Sequence, residues 1–117
     1  MIDETIEKYK SIIIEERILL NREDNQIAEF KARLMLKDGS ILEFSEVIIF
    51  GVAKHKYSYQ WMSKDFELKI RWDNAFHHRH ISTFPYHKHV ESEDKIEESE
   101  NMTLEKVLIF IDRKSVV

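Results

Sequence analysis

The segment Ala-Glu-Phe-Lys-Ala-Arg-Leu-Met-Leu-Lys-Asp-Gly-Ser-Ile-Leu-Glu-Phe, residues 28–44, decides the fold class of this chain. Small or apolar residues occupy every second position from 28 to 36, and charged residues fill most positions between them. This period of two predicts a strand with one buried face. Asp38-Gly39 provides two residues that tolerate positive φ angles, which predicts a hairpin with a type I′ turn. The returning strand continues the pattern, with Leu42 and Phe44 inside and Ile41 and Glu43 outside.

Further strands are predicted on both sides of this hairpin. Residues 12–20 are rich in β-branched side chains and predict a first strand, with a helix as the alternative because the alternation is imperfect. A turn is predicted at 21–25. The apolar run 47–50 predicts a strand end covered on both faces. Two alternating segments, 54–61 and 66–72, complete a set of five strands.

Helical patterns lie at both ends of the chain. Residues 3–10 predict a short helix, and residues of about 103–113 predict a longer one. The longer helix has Thr103 as N-cap and an apolar face of Leu104, Val107, Leu108 and Ile111. The chain of 117 residues is therefore predicted to be a single α+β domain. We expect an antiparallel meander sheet of about five strands, a short N-terminal helix and a C-terminal helix packed on one face.

The composition excludes several classes of site. The chain has no cysteine, which excludes disulfides and thiolate metal sites. No apolar run approaches the ~18–20 residues of a membrane span. The N-terminus is acidic and does not resemble a signal peptide, so the cytoplasm is the expected compartment. There is no Gly-rich phosphate loop, dinucleotide-binding signature or Gly-x-Ser-x-Gly motif.

The segment Arg-Trp-Asp-Asn-Ala-Phe-His-His-Arg-His-Ile-Ser-Thr-Phe-Pro-Tyr-His-Lys-His-Val, residues 71–90, contains five of the six histidines and the only proline. We interpret it as an ordered loop that carries the functional site, because a long connection is usually functional or disordered and this one is rich in aromatic residues. It belongs to a basic region, since residues 54–89 have seven Lys or Arg against three acids. Residues 91–100 follow with six acids and one lysine. They predict either a solvated linker or an acidic segment that screens the basic surface.

Residues 57–90 resemble the TumE family of prokaryotic toxins. The resemblance is carried by Arg-Trp-Asp-Asn-Ala-x-His-His and by Thr-Phe-Pro-x-His-Lys-His-Val within 71–90. It implies a toxin paired with an antitoxin that has a helix-turn-helix domain, but it does not supply a reaction. The chain departs from the family pattern at Phe76 and Arg79, where prolines are usual, and at Tyr86, where a histidine is usual.

The residue types in 71–90 favour RNA cleavage without a metal or another cofactor. Cleavage through the 2′-hydroxyl needs a base, an acid and cationic groups around the phosphate. Histidine serves both proton-transfer roles because its ordinary pKa is near ~6.5. The predicted catalytic residues are His77, His78, His87 and His89. The predicted substrate-binding residues are Arg71 and Lys88 at the phosphate, Asp73 and Asn74 as loop-shaping groups, and Tyr57, Tyr59 and Trp61 as base-stacking rings if their face is open.

Strand parity qualifies these roles. Arg71 belongs to the polar face of its strand and Trp72 to the apolar face, and Tyr57, Tyr59 and Trp61 fit a sheet core better than a stacking platform. His80 is expected to be a solvated loop residue.

Two other functions remain open from the sequence. His78-x-His80 and His87-x-His89 each place two imidazoles on one side of an extended segment, a pattern that suits zinc, iron or nickel. The domain is alternatively a binding module whose basic face engages nucleic acid or whose sheet edge receives a partner segment. A homodimer is a further expectation.

Overall fold

The computed structural model describes residues 2–52 and 54–115 and contains one seven-stranded antiparallel sheet between two helices in the chain order. Every strand pairs with its sequence neighbours, so the order across the sheet is the order along the chain. The elements are α1 (Ile2–Lys8), β1 (Ile13–Glu23), β2 (Ile27–Leu36), β3 (Ile41–Ile49), β4 (Lys54–Met62), β5 (Leu68–Asp73), β6 (His87–Val90), β7 (Ile96–Glu98) and α2 (Leu104–Ser115).

The predicted α+β meander with two terminal helices is confirmed. The predicted number of about five strands is two fewer than the seven in the structure. The additional strands are short: β6 lies inside the predicted loop of residues 71–90, and β7 lies inside the predicted acidic linker of residues 91–100. The helical alternative for residues 12–20 is wrong, because β1 spans this segment and continues through most of the predicted turn at 21–25.

The hairpin between β2 and β3 closes with a different turn from the one predicted. The Gly39 amide donates to the Leu36 carbonyl, and the Leu36 amide donates to the Ser40 carbonyl, both at 2.9 Å. Within residues 36–40, Gly39 has a φ of 90° and Asp38 does not have a positive φ. This pattern is a three-residue loop with a glycine bulge, so the prediction of a type I′ turn was wrong. The Asp38 carboxylate accepts from the Ser40 amide at 2.9 Å and stabilises the loop instead.

The core lies between one face of the sheet and α2. Its apolar side chains come from alternate positions of β2 to β5 and from the predicted face of α2: Ala32, Leu34, Leu36, Leu42, Phe44, Tyr57, Tyr59, Trp61, Trp72, Leu104, Val107, Leu108 and Ile111. Phe110 contacts the rings of Trp61 and Trp72 edge-on, at centroid distances of 6.1 and 5.4 Å. The Thr103 hydroxyl accepts from the Lys106 amide at 3.2 Å, which confirms the predicted N-cap.

Two predictions about β3 were reversed by the structure. Ile41, predicted to face outward, is buried beside its β4 partner Met62, so both faces are covered where the strand begins. The end of the strand is open instead, because Ile48 and Phe50 remain 40% and 45% exposed. Neither helix in the described part of the chain is long and apolar enough to cross a membrane.

The second face of the sheet, opposite α2, carries the polar residues of the central and later strands. The register pairs Gln60 with Arg71 and Arg71 with His89. It also pairs Ser58 with Asp73 and Asp73 with His87. Directly paired residues in a sheet lie on the same face. Arg71 therefore lies on the polar face as its parity predicted, and Trp72 lies in the core.

Candidate active site

A cleft of about 1080 Å³ lies on the polar face of the sheet, below the loop of residues 74–86 that joins β5 to β6. We refer to it as the histidine cleft. Its lining includes four histidines of the 71–90 segment together with lysine, arginine and acidic side chains: Lys54, Lys56, Ser58, Gln60, Arg71, Asp73, Asn74, His77, His78, His87, His89 and Glu93. The register of β4, β5 and β6 therefore brings together groups that are up to 35 positions apart in the chain, from Lys54 to His89.

Asp73 is the acidic centre of the cleft. Its Oδ1 lies 2.8 Å from Nε2 of His87, and its Oδ2 lies 3.4 Å from Nε2 of His89. The three side chains are buried, with 8% of Asp73, 2% of His87 and 4% of His89 exposed. They meet because Asp73 and His87 are directly paired across β5 and β6, and His89 follows two positions later on the same face.

The second nitrogen of each buried imidazole contacts a backbone carbonyl. Nδ1 of His87 lies 3.0 Å from the carbonyl oxygen of Pro85, and Nδ1 of His89 lies 2.9 Å from that of Glu93. A carbonyl only accepts, so both rings carry their Nδ1 proton and direct Nε2 towards Asp73. The two backbone carbonyls therefore fix the tautomer of both rings.

His78 brings a third imidazole from the loop to the buried pair. Its ring centroid lies 4.8 Å from that of His87 and 5.6 Å from that of His89. Potential ligand nitrogens of these three residues, which we call the histidine trio, all lie within 4.8 Å of one another. Burial and the neighbouring His87 and His89 rings lower the pKa of His78 below its ordinary value. His77 is exposed and its ring lies 6.4 Å from that of His78.

Arg71 is held at the floor of the cleft by two carboxylates. Its two terminal nitrogens donate to the two oxygens of Glu93, the Nη2 contact being 2.6 Å, and its Nε donates to Asp73 at 3.3 Å. Burial alone would lower the pKa of Arg71, but the hydrogen bonds and charges of Glu93 and Asp73 raise it. The same contact with Arg71 lowers the pKa of Glu93. Glu93 belongs to the acidic segment, so part of this segment does lie against the basic surface.

Asn74 fixes the point at which the loop leaves the sheet. Its Oδ1 accepts from the Tyr57 amide at 3.0 Å, and its Nδ2 donates to the His55 carbonyl at 2.8 Å. The side chain thus satisfies two backbone groups of β4 next to the last β5 partner, Asp73. The role of Asn74 is a bridge to β4, which is more specific than the loop-shaping role expected from the sequence.

The rest of the loop is a series of turns tied to the end of β7. The amides of Ile81, Phe84 and Tyr86 each donate to the carbonyl three residues earlier. The Thr83 hydroxyl donates to the Tyr86 carbonyl at 2.6 Å and accepts from the Ser99 amide at 3.1 Å. The Phe84–Pro85 peptide bond is cis. These contacts connect the loop to the sheet on both sides of the histidine cleft.

The structure brings most of the proposed site residues together. Among the described residues, His77, His78, His87, His89, Arg71, Asp73 and Asn74 all line the cleft. Lys88 does not, because it pairs with Trp72 and therefore alternates to the other face of the sheet. His80 is exposed and also lies outside the cleft lining, as expected for a solvated loop residue.

The predicted role of three aromatic residues of β4 in stacking on RNA bases is contradicted by the burial of their side chains. Tyr57, Tyr59 and Trp61 are 5%, 0% and 6% exposed, so the face that was required to be open is covered. The Tyr57 hydroxyl accepts from the Met102 amide, and the Tyr59 hydroxyl donates to Glu46. Tyr57 reaches the lining of the cleft, but its ring stacks on Tyr59 within the core.

Several cleft residues were not identified from the sequence. Lys56, Ser58 and Gln60 occupy the polar positions of β4 and line the cleft beside Arg71 and Asp73. Their alternation with Tyr57, Tyr59 and Trp61 indicated that these three residues share the polar face of the strand. The sequence alone did not indicate which strand lies next to the histidines. Lys54, at another polar position of β4, also lines the cleft, and its Nζ lies 4.8 Å from the ring centroid of Phe76 in the loop.

A protein-family model matches nearly the whole of this sequence. A family model described as Toxin TumE matches residues 2–115, which covers both helices, all seven strands and the histidine cleft. Searches among characterised proteins and among solved structures found no significant match.

Proposed function

Because this chain belongs to the TumE toxin family, we propose that it inhibits growth by cleaving RNA in the histidine cleft. Membership in a toxin family makes an antitoxin the expected partner. We propose further that this antitoxin has a helix-turn-helix domain and that the pair acts in the cytoplasm.

The observation that carries the proposal is the combination of imidazoles and cations in one cleft. Four histidines of residues 71–90 line it together with His55, and Lys54, Lys56 and Arg71 supply positive charge beside them. A phosphodiester is an anion, and its charge is more crowded in the transition state of cleavage than in the ground state. Cationic donors that are already in position stabilise this state without reorganisation. Once released from Glu93, Arg71 presents the same two donors to two phosphate oxygens at once.

The proposed reaction uses the 2′-hydroxyl of the RNA as nucleophile. A neutral histidine accepts the 2′-hydroxyl proton as the bond from the 2′-oxygen to phosphorus forms. A protonated histidine donates a proton to the 5′-oxygen as its bond to phosphorus breaks. The products are a 2′,3′-cyclic phosphate and a 5′-hydroxyl end. In its metal-free form this reaction needs two imidazoles in different protonation states within reach of one phosphate.

The four histidines are not equivalent in this proposal. His77 is exposed and His78 is partly exposed, so they are the imidazoles that an entering RNA meets first. His87 and His89 are buried behind them, and their Nε2 atoms face Asp73. We therefore place the proton-transfer contacts with RNA at the accessible pair. The buried pair fixes the electrostatic environment of His78.

Expression without an antitoxin tests the proposal. Bacteria would express the wild-type chain, His78→Ala or His80→Ala from an inducible promoter, with the soluble level of each protein measured. The two variants are matched, because both residues belong to the same loop and only His78 lines the cleft. We expect growth arrest and new 5′-hydroxyl RNA ends with the wild type and with His80→Ala. His78→Ala should produce neither.

The outcomes separate the toxin from the ribonuclease. Arrest with intact RNA would retain a toxin and refute RNA cleavage. Equal RNA cleavage by His78→Ala and the wild type would refute the assignment of His78. Normal growth with all three proteins soluble would refute toxicity of this chain.

A further inference from the structure

The arrangement of Asp73, His87 and His89 brings several potential ligand atoms to one place in the cleft. Both rings place Nδ1 at a backbone carbonyl and point Nε2 at the same carboxylate. The two Nε2 atoms therefore converge, with the Asp73 oxygens 2.8 and 3.4 Å from them.

The place where these atoms converge is enclosed by three imidazoles. The ring centroids of His87 and His89 lie 5.0 Å apart, and both residues are at least nine-tenths buried. The His78 ring lies 4.8 Å from that of His87 and 5.6 Å from that of His89. A carboxylate and three imidazoles around one point are groups that bind transition metals.

From this convergence of imidazole nitrogens we infer that the histidine trio binds one divalent transition-metal ion of the zinc type. Nε2 of His87 and of His89 would then face the ion, and the Asp73 carboxylate would balance its charge. The contact of each Nδ1–H with a backbone carbonyl is the arrangement that usually orients a metal-binding histidine.

The dimensions of the trio are compatible with this ion. Tetrahedral coordination at zinc–nitrogen distances of about 2.0–2.1 Å separates ligand nitrogens by about 3.3 Å. The present separations are at most 4.8 Å, so closure requires the histidines to approach by about 1.5 Å or less. His87 and His89 are fixed in β6, whereas His78 is on the loop and partly exposed. His78 is therefore the ligand whose movement completes the site.

The ligand type determines the class of metal. Imidazole nitrogens favour zinc, copper, nickel and iron, whereas magnesium and calcium require mainly oxygen ligands. Three histidines leave at least one coordination position, which is the pattern of a catalytic rather than a closed structural site. The catalytic meaning of the ion rests on the proposed ribonuclease. With His78 as a ligand, the ion would supply Lewis-acid chemistry at the phosphodiester in place of proton transfer by His78. Its binding does not depend on that function and is tested without RNA.

Cobalt(II) is a suitable probe because it replaces zinc and absorbs visible light. The full chain would be prepared without a histidine tag, stripped with a chelator, dialysed and titrated with Co²⁺. We expect one equivalent to bind with the visible absorption of a nitrogen-ligated ion. His78→Ala should weaken Co²⁺ binding by more than roughly 10–100-fold, the loss in affinity that follows removal of an outer-shell partner. His80→Ala should bind like the wild type.

His78→Ala is a safer variant than a change at the buried His87, because a partly exposed loop residue can be removed without opening the core. Circular dichroism would verify that the variants are folded. The inference is overturned if the folded wild type binds no stoichiometric Co²⁺, or if His78→Ala and His80→Ala bind it equally well.

Activity assays distinguish a failure of this inference from a failure of the proposed function. Stoichiometric metal binding without RNA cleavage, by both the zinc-loaded and the chelator-treated protein, would refute the ribonuclease and leave the metal site. Cleavage that persists in chelator, by a protein that binds no metal, would refute the metal site and leave the ribonuclease.

Discussion

Replacing Asn74 by alanine tests whether one side chain holds the loop of the histidine cleft to the sheet. The substitution removes two hydrogen bonds, from the Tyr57 amide to Oδ1 at 3.0 Å and from Nδ2 to the His55 carbonyl at 2.8 Å. Tyr57 is only 5% exposed, so its amide loses a partner in a buried place. His55 is exposed, and water can replace the lost donor at its carbonyl.

The expected cost follows from this asymmetry. A buried donor without a partner costs about 1–3 kcal/mol, whereas the exposed carbonyl contributes little. We therefore expect Asn74→Ala to lower the free energy of unfolding by about 1–3 kcal/mol. The measurement is urea unfolding, in which the midpoint should fall while the dependence on urea concentration stays constant. Asn21→Ala is the matched control, because Asn21 is exposed on β1.

Hydrogen exchange gives a second, local measurement. The Tyr57 amide should lose protection in Asn74→Ala to a greater extent than the other β4 amides that remain paired with β3. The reasoning is refuted if Asn74→Ala and Asn21→Ala unfold at the same urea concentration with equal Tyr57 protection. A global loss of protection would instead indicate that the loop stabilises the whole sheet.

Two further predictions concern charge. Glu93→Gln should free Arg71 for phosphate and strengthen the binding of an uncleavable 2′-O-methyl RNA by up to about fivefold, because an exposed ion pair contributes about 0–1 kcal/mol. Fluorescence anisotropy would measure the affinity, with Glu100→Gln as the control because Glu100 pairs with Lys106 instead. Equal affinities of Glu93→Gln and the wild type would contradict the prediction. Burial and the neighbouring Glu46 raise the pKa of Tyr59, so its phenol stays protonated in the folded chain. In the unfolded chain the phenol ionises near its ordinary pKa of about 10. The free energy of unfolding is therefore retained below that pH and falls above it by up to about 1.4 kcal/mol per pH unit, and urea unfolding between about pH 9 and 11 should show a smaller loss in Tyr59→Phe.

The fold could be predicted where hydrophobic alternation decides it. The apolar positions of 28–44 predicted a hairpin correctly, and the spacing of Leu104 to Ile111 predicted the packed face of α2 correctly. Both patterns depend on one buried face, which a sequence reports directly. The turn type was not predictable to the same degree, because Asp38-Gly39 is compatible with more than one hairpin loop.

The two missing strands have a physical explanation. β6 alternates as any half-buried strand does, but its buried residues are His87 and His89 instead of apolar residues. A hydrophobicity pattern cannot identify buried histidines whose ring nitrogens contact a carboxylate and two backbone carbonyls. β7 has only three residues within an acidic segment and is recognisable as a strand only through its pairing with β6.

The candidate site was predictable in its residue types and less so in its geometry. Arg71 could be assigned to the polar face by strand parity, and the histidine-rich segment identified the cleft. Lys88 was misplaced because treating 71–90 as a loop removed the alternation that places it opposite His87 and His89. The contact between Glu93 and Arg71 joins distant parts of the sequence, and composition alone suggested only that the acidic segment and the basic region attract each other.

The neighbour-by-neighbour order of the strands has a consequence for how this chain acquires its site during synthesis. Each strand pairs with the one made just before it, so no strand pairing waits for an element far along the chain, and such topologies fold faster than sheets built from distant pairings. Emerging from the ribosome, β1 to β5 can pair in succession before the chain has reached residue 74. The histidine cleft exists only after β6 has been made, and the core is covered only after α2 follows. A ribosome engaged in translating this protein would thus carry a partly folded sheet without a cleft until the last quarter of the chain appears.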